Sequence, residues 1–324
     1  MKRLTTLLAV VLVFTTASSF AQSQYPSKTI RFVAGFPPGG IVDILARTLA
    51  EKMSEGLGQP VIVDNRPGAT GTIAHNLVAK SPPDGYTILM TAPTSHAIVA
   101  VMNAPLPYEA EKDFASVAKV AELALVLAVH PSLPVKNAKE LIELAKSKPN
   151  ELTYGSAGVG AMQHIATELF STHAGIKMVH VPYKGSAPLL VDLIAGRLSL
   201  SIDNPQTVLP RVKSGELRAL AVTSKEPWFA APEIPTMAQA AGIPGFDVVL
   251  YWGIVVPAGT PKDVISVLNA ETVRILKRED VRSRLAAQGV QAAPSTPEEF
   301  GALIRAEFQT WTAERVKAAG MKKN

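Results

Sequence analysis

The sequence predicts an α/β protein made of two blocks with a ligand cleft between them. Short β-branched runs alternate with helical patterns along the chain, which is typical of parallel sheets flanked by helices. Each block also contains a glycine-rich segment directly after a predicted strand. The 324 residues are 47% hydrophobic and 18% charged, a globular composition with enough chain for two cores.

In the first block, helical periodicity separates three short strand patterns. The predicted elements are a strand over 29–35, a helix over 42–57, a strand over 61–64, a short helix, and a strand over 86–91. Ile44, Leu49 and Met53 fall on one face of the first helix, and Gly56 and Gly58 end it.

The middle block begins with an apolar run over 123–129, whose lack of polar alternation predicts a strand buried on both faces. Further predicted elements are strands over 152–154, 178–181, 198–202 and 217–223, and helices over 138–148 and 161–174. After a strand over 248–256 come helices over 262–277 and 297–319, which have no sheet of their own. We therefore expect these last helices to pack on the first block.

The blocks predict two domains joined by two chain crossings. The first domain comprises residues 22–124 and 225–324, and the second comprises residues 125–224. Because clefts between domains are preferred places for small ligands, we expect a ligand to bind there.

The N-terminus has the pattern of a signal peptide. Lys2 and Arg3 precede an apolar run over 4–14, and small residues ending at Ala21 predict cleavage after that residue. A membrane anchor is the alternative, but a spanning helix needs about 20 apolar residues and this run is shorter. The sequence therefore predicts a signal peptide over 1–21 and an exported chain.

Composition excludes several classes of function. Without cysteine there are no disulfides, thiolate metal sites or cysteine nucleophiles. A net charge of +5, with no block of basic residues and only 6% aromatic residues, argues against nucleic-acid binding. His164 and Glu168 have a metal-ligand spacing, but a metal needs three converging ligands and His75, His96 and His130 look isolated. We expect no metal and no cofactor.

The first glycine-rich segment, over 34–47, is suited to binding an anion. A turn between a strand and a helix presents free N–H groups and the positive end of the helix. Gly39 and Gly40 would let a ligand approach the backbone. Asp43 either favours the helix start or, for a ligand with an amine, contacts it directly. The alternative is a tight turn that binds nothing.

The second glycine-rich segment repeats this pattern in the middle block. Gly155, Gly158 and Gly160 predict another backbone cradle, to which Ser156 adds a hydroxyl. Ser156 directly follows Gly155, so the G-x-S-x-G pattern of a hydrolase nucleophile is absent. Asp203 ends a predicted strand, where it could accept a hydrogen bond from a ligand or fix the following turn.

Several longer stretches carry a family resemblance through nearly the whole mature chain. They include YPSKTIRFVAGFPPGG, LGQPVIVDNRPGATG, LTYGSAGVG, HVPYKG, AGRLSLSID and WGIVVPAGTP. The sequence therefore resembles the extracytoplasmic solute receptors of tripartite tricarboxylate transport systems, the Bug proteins.

The resemblance implies a two-domain periplasmic binding protein of type II, which closes like a flytrap on a small organic acid. It implies ligand contacts at Phe36, Pro37, Pro38, Gly39, Gly40, Ser156, Gly158, Val159, Gly160, Ala161 and Met162, with Thr94, Ser95, His96 and Asp203 bordering the pocket. Asp43 is the further ligand-binding candidate.

The departures from the family pattern bear on the ligand. Ile41 and Val42 stand where many relatives have small or hydroxyl residues, and Ala161 and Met162 stand where they have serine or threonine. Fewer hydroxyl donors argue against a densely polar ligand such as citrate. We expect a carboxylate with a sizeable apolar or aromatic remainder.

The predicted function is therefore solute binding without catalysis, by a monomer that serves the membrane components of a tripartite carrier. The alternatives are a binding protein that serves only a sensor domain, and an exported hydrolase or lyase. An enzyme needs a converging base and nucleophile, and the sequence offers none at a recognisable spacing.

Overall fold

The structure, a computed structural model, describes residues 25–102 and 105–318. The predicted signal peptide over 1–21 lies outside the described residues. Of the helices in the described part of the chain, none is both long enough and apolar enough to cross a bilayer.

The described residues form two β-sheets with helices packed around them. The strands are β1 (Ile30–Ala34), β2 (Val61–Asn65), β3 (Thr87–Thr91), β4 (Phe114–Ala124), β5 (Val126–Val129), β6 (Thr153–Ser156), β7 (Val179–Pro182), β8 (Leu200–Asp203), β9 (Arg218–Val222), β10 (Val249–Pro257) and β11 (Gln291–Ala292). The α-helices are Ile41–Leu57, Thr72–Ala79, Pro93–Met102, Ala138–Ser147, Met162–Ala174, Ser186–Ile194, Pro205–Lys213, Met237–Ala241, Lys262–Leu276, Glu279–Ala286, Pro297–Thr310 and Ala313–Ala318.

Both sheets are mixed, although the sequence pattern predicted parallel sheets. The first has the order β11-β4-β10-β3-β1-β2, and β10 runs antiparallel to both of its neighbours. The second has the order β7-β6-β8-β5-β9, and β5 runs antiparallel to both of its neighbours. The antiparallel strands β5 and β10 each directly follow a chain crossing, so they do not belong to a strand–helix–strand unit.

The apolar run predicted as one strand is divided between the two sheets. Leu123 and Ala124 end β4, whereas residues from Val126 onward form β5, and the chain crosses at Leu125. No residue of the run is more than 4% exposed, because both segments lie inside their sheets. The apolar pattern correctly indicated that this run is buried, but it could not show that the chain passes between the sheets at Leu125.

The chain returns to the first sheet directly before β10. Helix Met237–Ala241 packs on β9 and on helix Ala138–Ser147. Phe246 and Val248 belong to the core of the second sheet. Thr223 lies between the two crossings, where its N–H bonds to the Leu125 carbonyl and its carbonyl accepts from the Val248 N–H, both at 2.9 Å.

The C-terminal helices pack on the first sheet. Helix Lys262–Leu276 lies against β4 and against helix Ile41–Leu57. The contact between these helices is close at Gly56, where a Cβ atom would lie 1.9 Å from Glu271 Oε1. The helix that follows the first glycine-rich segment is thus packed closely against helix Lys262–Leu276 near its C-terminal end.

Candidate functional site

The first glycine-rich loop connects β1 to helix Ile41–Leu57 and is fixed by Asp43. The Gly39 N–H and Arg47 Nε each donate to Asp43 Oδ2 at 3.0 Å, and Asn65 Nδ2 donates to Oδ1 at 2.9 Å. Asn65 also bonds the Phe36 carbonyl at 3.1 Å. Asp43 therefore holds the Gly39 end of the loop directly and the Phe36 end through Asn65. The φ of Gly39 is +85°, a conformation that a residue without a Cβ atom adopts easily.

The electrostatics of Asp43 agree with this structural role. Its side chain is buried, and burial alone would raise the pKa of Asp43. The hydrogen bonds from Arg47, Gly39 and Asn65 outweigh burial, and the pKa lies below its ordinary value. Both carboxylate oxygens are occupied by protein groups.

A cavity of about 470 Å³, the apolar cavity, lies next to this loop. Its lining residues are Phe36, Pro37, Pro38, Gly40, Ile41, Val42, Ala92, Thr94, Ser95, Leu250, Tyr251 and Trp252. Among these described residues none carries a charge, and the polar side-chain groups are the hydroxyls of Thr94, Ser95 and Tyr251 and the indole N–H of Trp252. The cavity can bury the apolar part of a small molecule.

A second cavity of about 360 Å³, the bridging cavity, continues the first. Ile41, Leu250 and Trp252 line both cavities. The remaining lining residues are Gly39, Ile44, Leu123, Met162, Gln163, Asn204, Gln206, Gln288 and Val290. Because residues packed on each of the two sheets contribute, this cavity lies between the two halves of the molecule.

The second glycine-rich loop connects β6 to helix Met162–Ala174 and is closed on itself. Ser156 Oγ donates to the Gly158 carbonyl at 3.0 Å and lies 2.6 Å from His180 Nε2. The Ser156 hydroxyl has one proton, and the donor in the Ser156–His180 contact depends on the tautomer of His180. These contacts close the second loop on itself.

The N–H groups predicted to form the cradles are largely used within the protein. Gly39 donates to Asp43, Gly158 donates to Ser156 at 3.2 Å, and Gly160 donates to His164 Nδ1 at 3.1 Å. The N–H groups that remain candidates for binding an anion are therefore those of the first helical turns that follow the loops.

Both helices begin without a side-chain cap at the bridging cavity. Gly40 and Ala161 are the N-cap residues, and neither supplies an oxygen atom for the first-turn N–H groups. The first turns include Ile41 and Met162, which line the bridging cavity. Two positive helix ends, one from each half, thus border the same space.

The predicted site residues fall into two groups in the structure. Phe36, Pro37, Pro38, Gly39, Gly40, Thr94, Ser95 and Met162 line the apolar or the bridging cavity. Asp43, His96, Ser156, Gly158, Val159, Gly160, Ala161 and Asp203 line neither of them. The second loop therefore borders the cleft mainly through the start of its helix.

Asp203 lies directly behind the bridging cavity. Its Oδ1 accepts hydrogen bonds from Gln163 Nε2 at 2.9 Å, the Asn204 N–H at 2.7 Å and Ser186 Oγ at 3.0 Å. The carboxylate is fully buried, and Oδ2 has no partner among the described residues. Burial raises the pKa of Asp203, and the three hydrogen bonds oppose that shift.

His96 points into the core of the first half instead of the cleft. Its ring stacks on His75, with ring centroids 3.9 Å apart, and its Nε2 lies 3.1 Å from the Tyr108 hydroxyl. Burial lowers the pKa of His75 to about 4, and burial together with His75 lowers the pKa of His96. These histidines, which looked isolated in the sequence, form a neutral stacked pair.

His164 and His180 form a second stack, with ring centroids 4.0 Å apart. Within the described part of the chain, no three His, Asp or Glu side chains come together as metal ligands. The sequence did not indicate Leu250, Tyr251 and Trp252 as site residues, although they form one wall of the apolar cavity. They lie on a strand that was predicted, but no periodicity indicated which of its residues face a cavity.

A sequence profile of the family described as "Tripartite tricarboxylate transporter family receptor" (TctC) matches residues 45–319. BugT from Bordetella pertussis is 36% identical over 324 residues, covering 98% of this chain and 99% of that protein. A UPF0065 protein from the tcbD–tcbE intergenic region of Pseudomonas sp. strain P51 is 39% identical over 307 residues, covering 94% of this chain and 91% of that protein.

Solved structures show the same likeness. Rpa4515 of R. palustris, determined with adipate, is 36% identical with a TM-score of 0.73, covering 92% of this chain and 99% of that one. MatC from Rhodopseudomonas palustris with bound malate is 30% identical with a TM-score of 0.68, covering 90% and 100%. A TctC solute-binding protein from Polaromonas with no ligand is 27% identical with a TM-score of 0.82, covering 90% and 99%. The predicted fold class is confirmed.

Proposed function

Because the chain belongs to the tripartite tricarboxylate transporter receptor family, we propose that it captures a small organic carboxylate with an apolar or aromatic remainder. The acid binds in the cleft between the two sheets, and the receptor delivers it to membrane components of a tripartite carrier. The observation that carries this proposal is an uncharged, mostly apolar cavity that opens onto two uncapped helix ends.

The carboxylate end binds at the helix ends. First-turn N–H groups and the helix dipoles favour an anion at this place, since no side chain caps either helix. Relatives determined with adipate and with malate support a carboxylate as the ligand class. Asp43, which lines neither cavity, positions the first loop through its hydrogen bonds.

The remainder of the ligand lies in the apolar cavity. Phe36, Ile41, Leu250 and Trp252 supply most of its wall, and its volume of about 470 Å³ falls within the usual range for small ligands. A second carboxylate there would meet no cationic side chain, so its desolvation would be uncompensated. We therefore favour a monocarboxylate over the dicarboxylates of the two relatives.

Capture proceeds by hinge closure between domains of residues 25–124 with 249–318, and 125–248. This proposal moves the return boundary from 224 to 248, because residues 237–248 pack on the second sheet. Ligand that bridges both helix ends would favour closure.

Similar proteins also support a periplasmic location and a binding function without catalysis. Relatives include a protein described as periplasmic binding protein BugD, 31% identical with a TM-score of 0.69, and the family description is that of a transporter receptor. The Ser156–His180 pair, which could suggest hydrolysis, is arranged to close a loop.

The test combines ligand identification with matched probes. Small molecules released by denaturing the purified mature protein are identified by mass spectrometry. A thermal-shift panel then compares 3-phenylpropanoate with 3-phenylpropanamide, and cyclohexanecarboxylate with malate and citrate. We expect the apolar acids to raise the melting temperature, and the amide and polar acids to raise it much less. Tight binding of citrate without binding of apolar acids would overturn the ligand class.

A further inference from the structure

A third cavity, of about 550 Å³, lies between helix Met162–Ala174, helix Pro297–Thr310 and the segment that leads into β10. We name it the acidic cavity. It shares Thr94 and Tyr251 with the apolar cavity, and Met162 with the bridging cavity. Its walls therefore come from both halves of the molecule, as do those of the bridging cavity.

Two carboxylates line the acidic cavity, and among its described lining residues there is no lysine or arginine. Glu307 accepts a hydrogen bond from Trp311 Nε1 at 2.9 Å, and Asp247 accepts one from the Lys225 N–H at 3.1 Å. Burial raises the pKa of both carboxyls, and the charge of Asp247 raises that of Glu307 further. Lys225 offsets part of the charge of Asp247, and Lys119 Nζ lies 5.6 Å from the ring centroid of Tyr251, but neither lysine lines the cavity and the pKa of both carboxyls stays raised.

A buried hydroxyl group in the acidic cavity is a second observation that points to a bound ligand. Thr94 lines the cavity and is only 4% exposed, and its Oγ1 has no hydrogen-bond partner in the described part of the chain. The Thr94 hydroxyl interacts with the Glu307 carboxyl and lowers its pKa, although the contact does not have the geometry of an ordinary hydrogen bond. A buried hydroxyl without a partner costs free energy, which a bound polar group would recover.

The other walls fit an organic ion better than a metal ion. Trp311, Tyr251 and Phe246 line the cavity with Leu169 and Leu303. Aromatic faces attract ammonium groups, and apolar walls suit a carbon skeleton. The described residues contain no group of three metal-ligating side chains here or elsewhere.

We propose that the acidic cavity is a second ligand site, which binds a small organic ammonium ion with an apolar body. The ammonium group lies between the Glu307 and Asp247 carboxylates, and its substituents contact Trp311 and Tyr251. This site does not depend on the carboxylate class proposed for the cleft, because the two sites present opposite charge to their ligands.

The test uses choline as the probe and its neutral isostere, 3,3-dimethyl-1-butanol, as the matched compound. Isothermal titration calorimetry of the mature protein should show saturable choline binding and at least tenfold weaker binding of the alcohol. Glu307→Gln keeps an acceptor for the Trp311 N–H and should weaken choline binding about tenfold, and Asp247→Asn should weaken it in the same direction. Glu298→Gln, which removes one exposed acid from the same helix, should leave it unchanged.

Three results would overturn the proposal. They are no saturable choline binding, equal binding of the neutral alcohol, or equal affinity in Glu307→Gln and Glu298→Gln. Displacement of choline by millimolar MgCl₂ at constant ionic strength would assign the cavity to a metal ion instead. The carboxylate panel is measured on the same protein, so failure at one site is separate from failure at the other.

Discussion

The hydroxyl of Thr223 donates a hydrogen bond of 2.7 Å to the carbonyl oxygen of Val248. The same hydroxyl accepts one from the Leu125 N–H at 2.8 Å, and Thr223 is fully buried. One side chain therefore links the two places at which the chain passes between the sheets.

Replacing Thr223 by valine should destabilise the protein. The Thr223→Val change keeps the shape but leaves the Leu125 N–H buried without a partner, so the free energy of unfolding should fall by about 1–3 kcal/mol. Guanidinium unfolding measures it. Thr223→Ser retains the hydroxyl and should lose less than the valine variant, and equal losses in both variants would contradict the role of the hydroxyl.

Adding an N-cap side chain to helix Met162–Ala174 should raise the stability of the protein and lower its affinity for the ligand. Ala161→Asp places an acceptor at a residue that already has N-cap geometry, so the free energy of unfolding should rise by about 1 kcal/mol. The same carboxylate occupies the N–H groups proposed for the ligand, and affinity for 3-phenylpropanoate should fall at least tenfold.

The control for this variant is Pro261→Asp, at another helix start that has no side-chain cap. It adds the same charge outside the cleft, and calorimetry should show unchanged ligand affinity. Retained affinity in Ala161→Asp would show that the helix end does not bind the carboxylate.

Ile41 should determine how much apolar ligand surface the cleft can bury. It lines both the apolar and the bridging cavity, so Ile41→Ser removes apolar contact from the place where they join. We expect affinity for 3-phenylpropanoate to fall about tenfold, which corresponds to about 1.4 kcal/mol. Ile62→Ser, at an isoleucine that is 57% exposed, is the matched control in titration calorimetry.

Acidification should destabilise the protein through His75. Its pKa is lowered from 6.5 to about 4 by burial, so between these values the unfolded chain binds a proton that the folded chain does not. Stability is therefore lost as the pH falls through this range, by up to roughly 3 kcal/mol from this group.

Urea unfolding between neutral pH and about pH 4 measures this dependence. His75→Gln should flatten the curve, and His130→Gln, at a half-exposed histidine, is the matched control. An unchanged slope in His75→Gln would show that its neutral state in the fold is not the source.

The sequence predicted the local elements well where a single periodicity governed them. Helix Ile41–Leu57 begins and ends within one residue of its predicted bounds, since one apolar face and a terminal glycine define it. The run over 123–129 was predicted as one strand because its residues are buried in both sheets. The apolar pattern therefore does not change where the chain passes from one sheet to the other. Helices such as Glu279–Ala286, whose sequence is largely polar, carry too weak an apolar pattern to be recognised.

The parts of the site that depend on tertiary contacts could not be predicted from the sequence. The glycine-rich loops were recognisable because a strand, glycines and a helix follow each other in the chain. The pairing of His75 with His96 was not recognisable, because each ring reaches the other only through the packing of two helices. The apolar wall formed by Leu250 and Trp252 likewise depends on the return of β10 to the middle of the first sheet.

The proposed binding of a carboxylate at uncapped helix ends has a consequence for the release of the ligand. A lysine or arginine side chain is flexible, and it can follow a carboxylate while a cleft opens. The N–H groups of Ile41 and Met162 are fixed to their helix axes and belong to opposite halves of the molecule. If the carboxylate binds there as proposed, separation of the halves would take the two sets of N–H groups apart, and release to a membrane partner would depend on domain motion without an ion pair to break.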